Sequence, residues 1–213
     1  MSFGQCLSYI LLIIGGFLLG GVMFCRIIPL MLTGKDVCEL HEDKNPGAAN
    51  VFMSCGKKIG MLCLLCDLMK GFLPVFLAIK LLPTNNILFS FTMVAPVLGH
   101  AVGVFNGFMG GKCIATTFGV IVASFGLTWI GAILAVLYIA IVVAFKIDHR
   151  IGSIVVFAIF GTSSVVVGAF IGRLFVGIGF ALISLVAIIK HLPKQEKKPS
   201  AELPDEVTAE SVA

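Results

Sequence analysis

The sequence predicts an all-α, polytopic integral membrane protein of about seven transmembrane helices, with the N-terminus outside and the C-terminus cytoplasmic. Three observations carry that expectation. Only 12% of the residues are charged and 59% are hydrophobic, whereas soluble domains need about a quarter charged residues to face water. The apolar residues form unbroken blocks, and a block of about 20 residues is what a hydrocarbon core of about 30 Å demands of a helix. No segment alternates apolar and polar residues, as a barrel strand of about ten residues would.

The first span is expected at 7–28. Met1 to Leu12 contains no Lys or Arg, so the positive leader of a cleavable signal is missing and the run should stay in the membrane. The second, 59–82, carries Asp67 and Lys70 on one helix face, and charge at that depth is costly unless it is paired or faces a cavity. The third is 87–105. The block 113–145 would be about 50 Å long as one helix, well beyond the hydrocarbon thickness. Ser124, Phe125 and Gly126 offer a break that gives spans at 114–125 and 128–145. The last two are 153–171 and 174–189.

Charge tests the break. Seven spans with the N-terminus outside put Arg26, Lys35, Lys44, Lys57, Lys58, Lys112, Lys146, Arg150, Lys190, Lys194, Lys197 and Lys198 in the cytoplasm, against Lys80 and Arg173 outside. That is the positive-inside bias; an unbroken 113–145 would reverse everything after it. The chain therefore divides into a membrane domain at 1–192 and a disordered cytoplasmic tail at 193–213, which has alternating charges and no aromatic residue. Its basic start can rest on anionic membrane lipid.

Seven cysteines are read as free thiols in a reducing compartment. Cys63 and Cys66 have metal-like spacing, but no second pair or flanking histidine completes a site. No cofactor, metal or nucleic acid is called for. Gly16 and Gly20, Gly168 and Gly172, and the row Gly99, Gly103, Gly107, Gly111 are spaced for close helix packing, within the chain or in a helix-packed oligomer.

Three polar clusters interrupt the apolar chain, all on the cytoplasmic side. The first, 34–50, ends in NPGAAN from Asn45 and suits a re-entrant loop whose N–H groups face an anion. The second pairs Gly99-His100 with Gly110-Gly111-Lys112 and Thr116; glycines before a lysine and a helix start suit a phosphate. The third is Arg150-Ile151-Gly152-Ser153. His41, His149 and His191 fall at membrane edges, where a solvated role is the default.

Together these clusters resemble the PlsY family, bacterial membrane acyltransferases that move a fatty acyl group from acyl-phosphate to glycerol 3-phosphate. The resemblance runs through NPGAAN, Gly56-Lys57-Lys58, Asp67-Leu68-Met69-Lys70-Gly71, Gly99-His100, Met109-Gly110-Gly111-Lys112 and Ser153. It implies seven spans, a place in the bacterial cytoplasmic membrane, and acyl-phosphate and glycerol 3-phosphate as substrates. It also implies a site in which His100 moves a proton, Lys112 neutralises phosphate, and Asn45, Gly47, Asn50, Gly110, Gly111 and Ser153 bind substrate. The chain departs from the pattern where Asp43 replaces a serine, Met53 an arginine and Met109 a lysine. Arg150 replaces another serine and could return a guanidinium to the phosphate. The third family signature survives only as His191. Three readings stay open: an acyltransferase, a catalytically degenerate relative that binds lipid or regulates the active enzyme, and a small transporter using Asp67 and Lys70.

Overall fold

The computed structural model describes residues 1–144 and 148–193. Among them every regular element is helical: α1 (Phe3–Gly21), α2 (Phe24–Thr33), α3 (Ala48–Leu81), α4 (Ile87–Val102), α5 (Ile114–Ser124), α6 (Ile130–Tyr138) running into a π-helical stretch (Ile139–Ala144), α7 (His149–Phe170) and α8 (Leu174–His191). Helices α1, α3, α7 and α8 are long and apolar enough to cross a membrane, and the others are shorter apolar helices. Of the tail expected at 193–213 all but Pro193, and residues 145–147 with Lys146, lie outside the described residues.

The break expected at Ser124–Gly126 is present, since α5 ends at Ser124 and α6 opens at Ile130. The first span differs from the expected 7–28. The helix stops at Gly21 and restarts at Phe24, and the carbonyl of Val22 freed there accepts a 2.8 Å hydrogen bond from the Lys70 ammonium. A buried lysine needs oxygen acceptors, and an unbroken helix would have none to offer at that level. Helix α3 begins earlier than the expected 59, at Ala48, and turns sharply at Gly56, whose φ of 82° suits glycine. The NPGAAN segment is therefore a loop feeding a helix start, with Gly47 as its N-cap.

The main core lies between α1, α3, α4, α7 and α8, around Tyr9, Phe89, Met93, Phe157, Phe160 and Phe180, all fully buried. A second cluster of Cys25, Val37, Val51 and Cys63 pins the loop 34–47 onto α2 and α3. All seven cysteines are free thiols. Small residues set the helix spacing, as lipid-embedded packing requires. Cβ atoms on Gly71 and Gly119 would stand 2.1 Å and 2.0 Å from carbonyl oxygens of the facing helix, so α3 and α5 lie backbone to backbone. Gly20 likewise closes on the Pro96 carbonyl of α4, and Gly16 packs against Pro74 of α3 and Pro96. The expected row from Gly99 to Gly111 divides. Gly99 packs on α1, Gly103 and Gly107 take positive φ in the loop after α4, and Gly111 lies against His100. Gly168 packs on Gly177, while Gly172 is a turn glycine at φ 69°.

Candidate active site

At one end of the bundle the first two polar clusters meet around a cavity of about 630 Å³. Its walls come from the loop and first turn of α3 (Asp43, Asn45, Gly47, Asn50), from His100 at the end of α4, and from Lys112 before α5. Tyr138, His149 and Phe118 close the remaining side. The lower wall reaches Leu64, Asp67 and Leu68 of α3. Polar groups thus crowd one part of a mostly apolar chamber, the usual form of a small-molecule site.

Two loops hold this geometry. The Arg26 guanidinium forks onto Asp36, with Nη2–Oδ2 at 2.6 Å and Nε–Oδ2 at 2.9 Å. Its Nη1 donates to Asn106 Oδ1 at 2.5 Å, and Asn106 Nδ2 donates to Met109 O at 2.7 Å. One side chain of α2 therefore ties the loop bearing Asp43 to the loop bearing Lys112. The Arg26 guanidinium holds the Asp36 carboxyl below the usual carboxylate range despite its burial. Lys35 Nζ on Ser54 O at 3.0 Å and His41 Nε2 with Ser54 Oγ at 2.7 Å fasten the first loop to α3.

Within the cavity Lys112 Nζ meets Asp43 Oδ2 at 2.9 Å. Asn50 Nδ2 donates to Asp43 Oδ1 at 2.9 Å and to Asn45 O at 3.0 Å. The Asn45 N–H reaches Asp43 Oδ1 at 3.2 Å. Partial burial pushes the Asp43 carboxyl up, but the Lys112, Asn50 and Asn45 hydrogen bonds outweigh it and hold the group below its ordinary range. Gly47, Ala48, Ala49 and Asn50 open α3 against the same chamber, so the positive end of that helix faces it.

His100 is buried and lines the cavity, and its Nδ1 has no hydrogen-bond partner among the described residues. Its other ring nitrogen packs on Gly111, where an added Cβ would lie 2.2 Å from Nε2; only glycine fits there. Gly111 spends its N–H on His100 O at 3.0 Å. Gly110 and Gly111 thus brace the end of α4 and present Lys112, and neither lines the cavity. Below, Asp67 pairs with Lys70 at 2.9 Å in full burial.

Besides Gly110 and Gly111, two more expected site residues stand outside the lining. Ser153 is buried and donates its hydroxyl to His149 O at 2.6 Å, one turn back in α7. Arg150 is exposed beside the Asp148 cap of α7, outside the cavity lining. Met53 is 69% exposed, turned away from the chamber. In their place the structure brings Tyr138 and His149, which share a 2.9 Å hydrogen bond between Oη and Nε2. His149 stacks on the buried ring of His191 at 6.1 Å between centroids. The sequence held one signal for this wall: Tyr138 is one of only two tyrosines, placed in an otherwise apolar span, and its hydroxyl needs a partner. Among the described residues no cluster of His, Cys, Asp and Glu could hold a metal ion.

The family model described as glycerol-3-phosphate acyltransferase matches residues 10–197. Glycerol-3-phosphate acyltransferase 2 of Thermotoga maritima is 33% identical over 177 residues, covering 83% of this chain and 85% of that protein. The glycerol-3-phosphate acyltransferase of Aquifex aeolicus is 39% identical over 137 residues, or 61% of this chain and 70% of its own. Among solved structures, PlsY (YgiH), an integral membrane glycerol 3-phosphate acyltransferase, is similar in its glycerol 3-phosphate form. The TM-score is 0.72 at 32% identity, with 86% of this chain and 88% of that chain covered. Its lysophosphatidic acid form gives a TM-score of 0.70.

Proposed function

The chain belongs to the glycerol-3-phosphate acyltransferase family, and from that membership we propose that it acylates glycerol 3-phosphate with acyl-phosphate as donor. The single observation that carries the reading is the convergence of Lys112, Asn50, Asn45 and the start of α3 on one end of the cavity. An ammonium, amide donors and a helix N-terminus together suit a phosphate. The apolar remainder suits the first carbons of an acyl chain.

The donor is already activated, so positioning and charge stabilisation can supply much of the rate. The acceptor hydroxyl oxygen attacks the acyl carbonyl carbon and forms the ester bond. The carbonyl carbon–oxygen bond to the phosphoryl group breaks, and phosphate leaves with that electron pair. The hydroxyl proton passes to His100 or to the departing phosphate. Lys112 neutralises phosphate charge through the transfer, while Asn45, Gly47 and Asn50 shape the wall that holds it. The structural match to an integral membrane enzyme and the helices long enough to cross support a multi-pass protein. We place it in the bacterial cytoplasmic membrane, with seven crossings, the N-terminus outside and the cavity facing the cytoplasm. That orientation is supported by the distribution of Lys and Arg between the loops.

The test is acyl transfer by the purified protein from acyl-phosphate to glycerol 3-phosphate, beside a Lys112→Ala variant of equal thermal stability. Loss of a charge-assisted contact to phosphate should lower kcat/KM by about ten- to a hundredfold. A wild-type protein that transfers to no acceptor would favour the degenerate relative, and a fully active Lys112→Ala would remove the phosphate site from the proposal.

A further inference from the structure

The full charges on the described lining of the cavity are already paired. Asp67 is neutralised by Lys70, and Lys112, the cation the site offers to a phosphate, is held by Asp43. Three donors converge on that carboxylate: Lys112 Nζ at 2.9 Å on Oδ2, Asn50 Nδ2 at 2.9 Å on Oδ1, and the Asn45 N–H at 3.2 Å on Oδ1. An ammonium, an amide and a main-chain N–H are also the donors a phosphate oxygen cluster would use. A side chain of this protein therefore makes the contacts expected of substrate. A phosphate dianion brought to Lys112 would meet the Asp43 charge at the same place, and like charges at contact distance repel. Asp43 has room to leave, because its side chain is 40% exposed and residues 41–47 form no helix.

We infer that Asp43 is a tethered anion seated in the phosphate position, and that it sets the affinity for the phosphorylated acceptor by competing for Lys112 and Asn50. This deepens the acyl-transfer reading of the cavity and rests on it. Glycerol 3-phosphate binds as the Asp43 carboxylate swings out to solvent, and Asp43 reseats when product leaves. A serine at this position offers the phosphate a hydroxyl, whereas Asp43 makes binding conditional on a high acceptor concentration. The residue thereby discriminates by charge. Ligands that bring two negative charges to Lys112 can displace it, and a neutral polyol such as glycerol gains nothing there.

The experiment titrates glycerol 3-phosphate calorimetrically into the full-length protein in detergent, with no donor present. The proteins compared are wild type, Asp43→Asn and Asp43→Ser. An ion pair with both partners more than a third exposed is a weak competitor, so removing it should tighten binding about three- to tenfold. The KM for glycerol 3-phosphate in the transfer assay should fall in parallel. In a Lys112→Gln background Asp43→Asn should give no comparable gain, because the seat is then empty of its cation. A merely structural Asp43 would give weaker or unchanged binding in both variants, and that result overturns the inference. If wild type transfers acyl groups and neither substitution tightens binding, the seat falls and the enzymatic reading stands. If Asp43→Asn tightens glycerol 3-phosphate while no protein transfers, the seat stands and the enzymatic reading falls.

Discussion

The pair between Asp67 and Lys70 offers the sharpest test of how this bundle is held together. Their side chains are 2% and 0% exposed, with Nζ and Oδ1 2.9 Å apart. Lys70 also donates to Val22 O at 2.8 Å and lies over the Phe24 ring at 5.8 Å, while Cys25 Sγ sits 3.1 Å from Asp67 Oδ2. Lys70→Met keeps most of the length and the apolar stem of the side chain and removes the charge. Asp67 would then be a buried carboxylate with a thiol as its remaining donor, and the Val22 carbonyl would lose its bond. Breaking a buried pair costs about 3–5 kcal/mol. In a chain of this length each kcal/mol moves Tm by about 2–4 °C, so thermal loss of helical circular dichroism in detergent should shift down by about 6–20 °C. Lys70→Met combined with Asp67→Leu should recover most of that loss, since an apolar pair of similar volume avoids the stranded charge. A single variant that melts within about 2 °C of wild type, or a double variant no better than the single, would refute the reasoning.

Three further outcomes follow. Reporters fused after Lys146 and after the C-terminus should read cytoplasmic and one at the N-terminus external; Lys146 outside would mean that 113–145 crosses once and that the seven-crossing proposal is wrong. Because Asp36 has its folded pKa depressed chiefly by Arg26, its stabilisation is fully present above the unfolded value of about 3.9 and is lost as pH falls through the lower folded value. The Tm gap between wild type and Asp36→Asn should therefore hold steady from pH 8 to about 5 and close only below about 4; a gap that closes near neutrality would mean another group controls the loop. Finally, Arg150 lies exposed and outside the cavity lining, so Arg150→Ser should change kcat/KM less than about threefold. A loss of tenfold or more, reversed by Met53→Arg, would show that its guanidinium reaches phosphate.

The helical membrane class and the break at Ser124–Gly126 were legible because both follow from block length against hydrocarbon thickness, a one-dimensional argument. The pairing of Asp67 with Lys70 was legible for a similar reason, since residues three apart on a helix must share a face. The interruption at Val22–Met23 was not. Gly20 and Gly21 stand beside it but read equally as a packing pair, and the Lys70 ammonium that takes up the freed Val22 carbonyl stands 48 positions away. The glycine row from Gly99 failed in the opposite direction. A four-residue spacing describes one helix face only while the helix lasts, and α4 ends at Val102, so the later glycines serve turns and the contact with His100. Of the residues read as a site, Asn45, Gly47, Asn50, His100 and Lys112 line one cavity. Gly110 and Gly111 do not, because they pack against the end of α4. Nor do Ser153 and Arg150, because the first turn of α7 directs one hydroxyl back to its own helix and leaves the other side chain in solvent.

Arg26 shows why pairing matters more than the presence of a charge. Read along the chain it is one of many cations expected on the cytoplasmic side. In the fold it is taken up by Asp36 and Asn106, and through Asn106 by the backbone at Met109. The consequence is geometric. Asp43 lies seven residues after Asp36 and Lys112 six residues after Asn106, so the two halves of the cavity ion pair hang from the two loops that Arg26 fastens together. A forked guanidinium loses little freedom on binding and fixes direction as well as distance; a lysine at this position would offer its donors from a single nitrogen, without the planar fork that faces Asp36 and Asn106 from different nitrogens. The positions of Lys112 and Asp43 relative to each other are thus set outside the cavity, by a side chain that never touches its contents.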